Sequence, residues 1–137
     1  MRYMLDSDTC IYAMNRTHGI REKLLACAPE DLAVSSVVVA EITFGVRKGG
    51  SLKSMARLER FLADLTIANF DRAAARAYAE VRLALERAGT PIGSEDTLIA
   101  AHAISLGLTV ITHNTREFTR VKGLKVEDWT HRPAGSP

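Results

Sequence analysis

The chain is expected to fold as one α/β domain, a central and mainly parallel sheet flanked by helices in an α/β/α sandwich. Two observations predict this. Short apolar runs alternate along the sequence with longer segments of helical periodicity, a β-α-β-α order. The short runs are also apolar nearly throughout, as in Leu108–Thr112, which suits strands covered on both faces. No internal repeat or linker interrupts the 137 residues, so a single domain over residues 1–130 is expected, with His131–Pro137 as a disordered tail.

The elements follow in order. Tyr3–Leu5 is a buried strand ending at Asp6. A helix over Ser7–Asn15 follows, capped by Ser7 or Asp8. Leu32–Ser35 is the second strand, and Val37–Lys48 a helix stopped by Gly49 and Gly50. Leu58, Phe61, Leu62 and Leu65 recur at helical spacing and place a helix over Ser54–Leu65. Ile67–Phe70 is a short strand. A long Ala- and Arg-rich helix then runs from Asp71, its cap, to Ala88, before Gly89-Thr90-Pro91. Ser94–Leu106 is a helix ended by Gly107, Leu108–Thr112 a strand, and Leu124–Trp129 a last strand.

Composition narrows the function classes. Hydrophobic content of 47% and charged content of 25% are ordinary for a globular protein. No apolar stretch reaches membrane-spanning length, and the N-terminus is too soon acidic for a signal peptide, so a cytoplasmic protein is expected. Cys10 and Cys27 have no metal-ligand spacing and are expected to be buried thiols. His18, His113 and His131 show no metal-binding spacing, and His102, among alanine and isoleucine, is expected to pack inside a helix.

Four acids carry the chemistry: Asp6, Glu41, Asp96 and Glu117, each beside an apolar run in a separate segment. Ligands of parallel sheets bind beyond the carboxyl ends of the strands. Asp6 and the 113–117 segment should share that edge. Glu41 is the only charged residue between Leu32 and Val46 and is expected to be buried. Asp96 falls on the apolar face of its helix with Ile99 and Ala103, whereas Glu95 falls off it. Thr112 and Asn114 add neutral oxygens, and Asp8 is expected to act as a cap or outer-shell group. Two like charges about 4 Å apart cost about 4 kcal/mol at an effective dielectric of about 20. Such a cluster needs protons or cations, and a hard divalent ion, Mg²⁺ or Mn²⁺, suits an all-oxygen site. Arg116, Arg120, Lys122 and Lys125, near Glu117, would form a basic rim suited to a polyanion.

In these residues the chain resembles the PIN-domain ribonucleases, specifically the VapC-type toxins of bacterial toxin–antitoxin pairs. The matching segments are Met4–Tyr12, Ser35–Val46, Pro91–Ala103 and Thr112–Phe118, with Val121, Gly123, Leu124 and Glu127-Asp128-Trp129 at the end. The resemblance implies a PIN-domain sheet, a homodimer, and endoribonuclease activity dependent on Mg²⁺ or Mn²⁺. It also implies a cognate VapB-type antitoxin that inhibits the enzyme. Carried onto this chain, the catalytic and metal-binding acids are Asp6, Glu41 and Asp96, with Glu117 as the fourth, bound directly or through water. Asp8 stands where many members have Asn, and Asn114 where many have Asp. With no helix-turn-helix or basic arm, DNA is expected to be reached only through the antitoxin.

Two other classes compete. Asp6-Ser7-Asp8 is similar to the Asp-x-Asp start of HAD-type phosphatases, in which Asp6 would be the nucleophile and Asp8 the acid/base. Cys10 breaks that pattern. A non-enzymatic binding module would bind RNA without cutting it, which the full set of acids argues against.

Overall fold

The computed structural model describes residues 1–130. The expected tail, His131–Pro137, lies outside them. Five parallel strands form one sheet in the order β3-β2-β1-β4-β5. They are β1 (Tyr3–Leu5), β2 (Leu32–Ser35), β3 (Thr66–Ala68), β4 (Thr109–Ile111) and β5 (Lys125–Glu127). Among the described residues seven α-helices accompany them, α1 (Ser7–Asn15), α2 (Ile20–Leu25), α3 (Ser36–Gly49), α4 (Leu52–Ala63), α5 (Arg72–Ala88), α6 (Ser94–Leu106) and α7 (Thr115–Phe118), with one 3-10 turn at Pro29–Asp31.

The core lies along the three middle strands. Met4 and Leu5 of β1, Ala33 and Val34 of β2, and Val110 and Ile111 of β4 are all fully buried. Against them pack Val38 of α3, Ile99, Ala100 and Ala103 of α6, and Phe118 of α7. Two-sided burial accounts for the apolar character of these strands. The edge strands β3 and β5 are mostly exposed.

The helix stops are where glycine demands them. Gly50, Gly89 and Gly107 each end a helix in the left-handed conformation, with φ of 73°, 70° and 68°. A side chain there would be strained, which is the reason glycine closes helices. Asp71 caps α5 as expected, its Oδ1 accepting from the Ala74 N–H at 3.0 Å.

Several boundaries differ from the sequence expectation. Asp6, not Ser7 or Asp8, caps α1: its Oδ1 accepts the Thr9 N–H at 2.9 Å. The strand ends at Leu5 and the helix starts at Ser7, so one residue makes the whole turn. α4 begins two residues earlier than expected because the Ser51 hydroxyl caps it. β3 stops at Ala68, and the Phe70 N–H instead meets the Ser36 hydroxyl at 2.9 Å. α2 lies in a stretch to which the sequence assigns no element, and α7 in the polar segment after β4; both are too short for periodicity to declare itself. Cys10 is buried, but Cys27 is only half-buried; both are free thiols. Among the described residues, no helix is long and apolar enough to cross a membrane.

Candidate active site

The strand order places the site. From β1 the chain winds outward to β2 and β3, then returns to the other side of β1 for β4 and β5. The reversal falls between β1 and β4, and α/β sheets bind ligands beyond the carboxyl ends of the strands at such a point. Leu5 and Ile111 are register partners, so Asp6 and Thr112 leave the two strands side by side.

Asp6 is buried, 4% exposed. Its Oδ1 is held by the Thr9 N–H, and its Oδ2 accepts from the Thr112 hydroxyl at 2.5 Å. Burial pushes the carboxyl above its ordinary range against the lowering effect of these donors, and the charge of Asp8 adds to the rise. Thr112 in turn accepts the Asn114 N–H at 2.8 Å, so one hydroxyl ties the first acid to the following loop.

Asn114 organises the second half. It occupies the cap position of α7, yet its side chain makes no capping bond. Its amide nitrogen instead donates to Asp96 Oδ2 at 3.0 Å and Glu117 Oε2 at 2.9 Å. The two carboxylates are thereby gathered over Gly93, where a Cβ would lie 3.9 Å from both of those oxygens. Asp96 is pushed up to about 7, first by burial, then by its hydrogen bond to Glu117 and by that group's charge. Glu117 moves down, chiefly through the same bond. Of the pair, Asp96 is the carboxyl that keeps a proton to the higher pH. The charge of Asp6 also reaches Asp96.

The structure therefore brings together Asp6, Thr112, Asn114, Asp96 and Glu117, and leaves Glu41 and Asp8 outside this network. Glu41 is exposed on α3, contrary to the expected burial, and makes no hydrogen bond or ion pair among the described residues. The inward face of α3 is Val38 and Ile42; Ala40, Glu41 and Phe44 all point outward. The apolar character of that segment belongs partly to an exposed surface. Asp8 is exposed in the first turn of α1, so the phosphatase arrangement, with Asp8 as acid/base beside Asp6, lacks a buried partner. Among the described residues no three acidic, histidine or cysteine side chains lie close enough to cage one ion.

One contact escaped the sequence reading. Ser7 donates to Glu95 Oε1 at 2.5 Å, joining the residue after Asp6 to the residue before Asp96. The two are 88 positions apart. Glu95 was set aside because it falls off the apolar face; that same offset turns it toward the start of α1. His102 is packed as expected, 1% exposed, with Nδ1 and the Ser35 hydroxyl 2.8 Å apart. Arg116, Arg120, Lys122 and Lys125 are exposed, and Arg120 donates to the Pro91 carbonyl at 3.0 Å beside Glu117.

Comparison with known proteins identifies the family. The family described as PIN domain matches residues 3–124. The tRNA(fMet)-specific endonuclease VapC of Salmonella typhimurium is 37% identical over 94% of this chain and 98% of its own. Ribonuclease VapC2 of Rickettsia felis is 38% identical over the same shares, 94% and 98%. Among solved structures, VapBC2 of Rickettsia felis bound to a promoter DNA fragment superposes with a TM-score of 0.86 at 37% identity, covering 94% of this chain and 99% of that one. The fold and these relatives agree, and the chain belongs to the PIN-domain family, among its VapC ribonucleases.

Proposed function

We propose that this protein is the toxin of a toxin–antitoxin pair, a cytoplasmic endoribonuclease that hydrolyses phosphodiesters at the Asp6–Asp96–Glu117 cluster with Mg²⁺ or Mn²⁺. The observation that carries the reading is the Asp96–Glu117 pair. Two carboxylates held together by one amide, with Asp96 pushed up to about 7, form a site short of positive charge at neutral pH. The all-oxygen donor set fits a hard divalent cation, which would take the place of the Asp96 proton. Asp96 and Glu117, already gathered on one amide, would hold it, with Asp6 drawn closer than it stands here and Glu41 on α3 as the candidate fourth acid. When bound, such a cation supplies Lewis-acid stabilisation of the phosphate and a more acidic water.

The chain's own groups do the rest. Thr112 fixes the rotamer of Asp6, and Asn114 keeps Asp96 and Glu117 together. Arg116, Arg120, Lys122 and Lys125 draw the RNA backbone toward the acids. No side-chain nucleophile is required: water adds to phosphorus and the ribose oxygen departs.

The Rickettsia relative is solved as a VapBC assembly on DNA, which supports a VapB-type antitoxin as the inhibitor here, with DNA reached through it. A homodimer is part of the same reading. The Salmonella relative's name makes tRNA(fMet) the first substrate to try.

The test is cleavage of total cellular RNA by antitoxin-free protein with Mg²⁺, with Mn²⁺ and with chelator, alongside Asp96→Asn. Discrete products that vanish with chelator and in the variant are expected. Cleavage by Asp96→Asn at the parent rate would sink the proposal.

A further inference from the structure

Just past the acidic site, an exposed imidazole lies flat on a tyrosine. Tyr12 and His18 stack with ring centroids 3.8 Å apart and planes 20° from parallel. Tyr12 is half-buried and backs onto the core, while His18 is exposed, so the outer face of the imidazole meets solvent. The turn between α1 and α2 is bent to hold it there. Arg16 and His18 both adopt left-handed backbone, with φ of 57° and 62°, and the Thr17 N–H closes the turn on the Tyr12 carbonyl at 2.9 Å. Non-glycine residues take that conformation in only a few per cent of cases, and two within three residues mark a constrained loop.

The position matters as much as the stack. Tyr12 follows Asp8 by four residues and so lies on the same side of α1. Six residues at about 1.5 Å each put it about 9 Å along the helix from Asp6. Burial first, then the charges of Asp8, Asp6 and Asp128, hold its hydroxyl above the ordinary tyrosine range. Arg16 and Arg21 are exposed close by in sequence.

We propose that Tyr12 and His18 form a stacking platform for an unpaired base of the RNA, flanking the phosphate to be cut. Core, tyrosine, imidazole and base make one column, and Arg16 is placed to meet the backbone beside it. Any base offers a π-face, so the platform holds single-stranded or splayed RNA with little regard to sequence. This extends the ribonuclease reading and rests on it.

The test separates the ring from the turn. Asparagine tolerates left-handed backbone but has no ring, so His18→Asn keeps the turn and removes the stack. Tyr12→Phe keeps the stack and removes the hydroxyl. Each would be made in full-length protein, and again in the Asp96→Asn background. The probe is a short single-stranded oligoribonucleotide carrying a fluorescent adenine analogue. His18→Asn should weaken binding roughly five- to a hundredfold and relieve stacking quench of the probe. In the cleaving protein it should raise KM with kcat little changed, at an unaltered Tm, while Tyr12→Phe behaves as the parent. Parent-like binding and KM for His18→Asn, in a parent that cleaves RNA, would overturn this inference alone. A parent that cuts no RNA overturns the ribonuclease reading and this one with it. Loss of antitoxin binding without loss of RNA binding would assign the pair to the protein partner and overturn the platform.

Discussion

Thr112 shows how much one buried hydroxyl can do. It donates to Asp6 and accepts from the backbone of Asn114, so both halves of the site meet on it. Thr112→Val leaves a buried carboxylate short of a donor, a defect costing about 1–3 kcal/mol. Thermal melting should show that loss together with a drop in RNA cleavage, and Thr112→Ser should restore most of both. Asp96 makes a different prediction. Its folded value, about 7, stands above its ordinary 3.8, so the folded protein binds the extra proton between those limits. Without divalent cation, stability from this group is present at low pH and is lost as pH rises toward and through about 7. Asp96→Asn mimics the protonated form. At pH 8 in chelator it should melt above the parent, and the gap should close as pH falls; a variant that melts lower throughout would contradict the assigned shift. At this scale the positions of Asp6 and Asp96 were legible in the sequence, because each adjoins a strand or helix whose direction could be read. It misplaced Glu41, whose apolar neighbours Ala40 and Phe44 share its exposed face.

Helix ends are the working parts of this molecule. α1 and α6 start beside one another, each carrying an acid of the cluster at its first turn or cap, and Ser7 clasps Glu95 across the gap. Ser7→Ala should loosen the spacing of Asp6 and Asp96. The expected result is a several-fold higher Mg²⁺ concentration for half-maximal cleavage, with the rate recovering at saturating metal; an unchanged Mg²⁺ titration would refute it. Further along α6, His102 locks the helix to the end of β2 through Ser35 and sets its ring edge against Phe70 at 5.3 Å. Burial lowers its pKa below 6.5, opposed by the charge of Asp71. The folded state therefore resists protonation, and stability falls as pH drops below about 6.5. An NMR titration of the ring in folded protein should give a midpoint under that value. α7 and the Ser7–Glu95 clasp were illegible beforehand for two reasons. A single helical turn leaves no period to read, and a bond across 88 positions has no local signature.

The whole molecule is one twisted sheet whose order reverses at the site. The reversal was anticipated only as a shared edge; the order β3-β2-β1-β4-β5 follows from which strands pair, which apolar runs alone do not specify. The three middle strands were readable because each had to be apolar on both faces, which the exposed edge strands β3 and β5 did not. Ligand linkage is the prediction at this scale. A cation that binds only the folded chain raises its stability by mass action, so Mg²⁺ or Mn²⁺ should raise the Tm of the parent and leave Asp96→Asn nearly unmoved. Equal shifts in both proteins would mean the cation binds elsewhere.

The pairing of β1 with β4 also has a consequence for timing. Asp6 is made well before the hydroxyl that fixes it, which comes 106 positions later. At roughly 5–20 residues per second, a ribosome needs roughly 5–20 seconds to cover that distance. Until β4 has emerged and slid in beside β1, the growing polypeptide has half a catalytic centre and no blade. A ribonuclease built this way is a delayed weapon: its first acid waits unanchored until a strand made much later arrives to hold it.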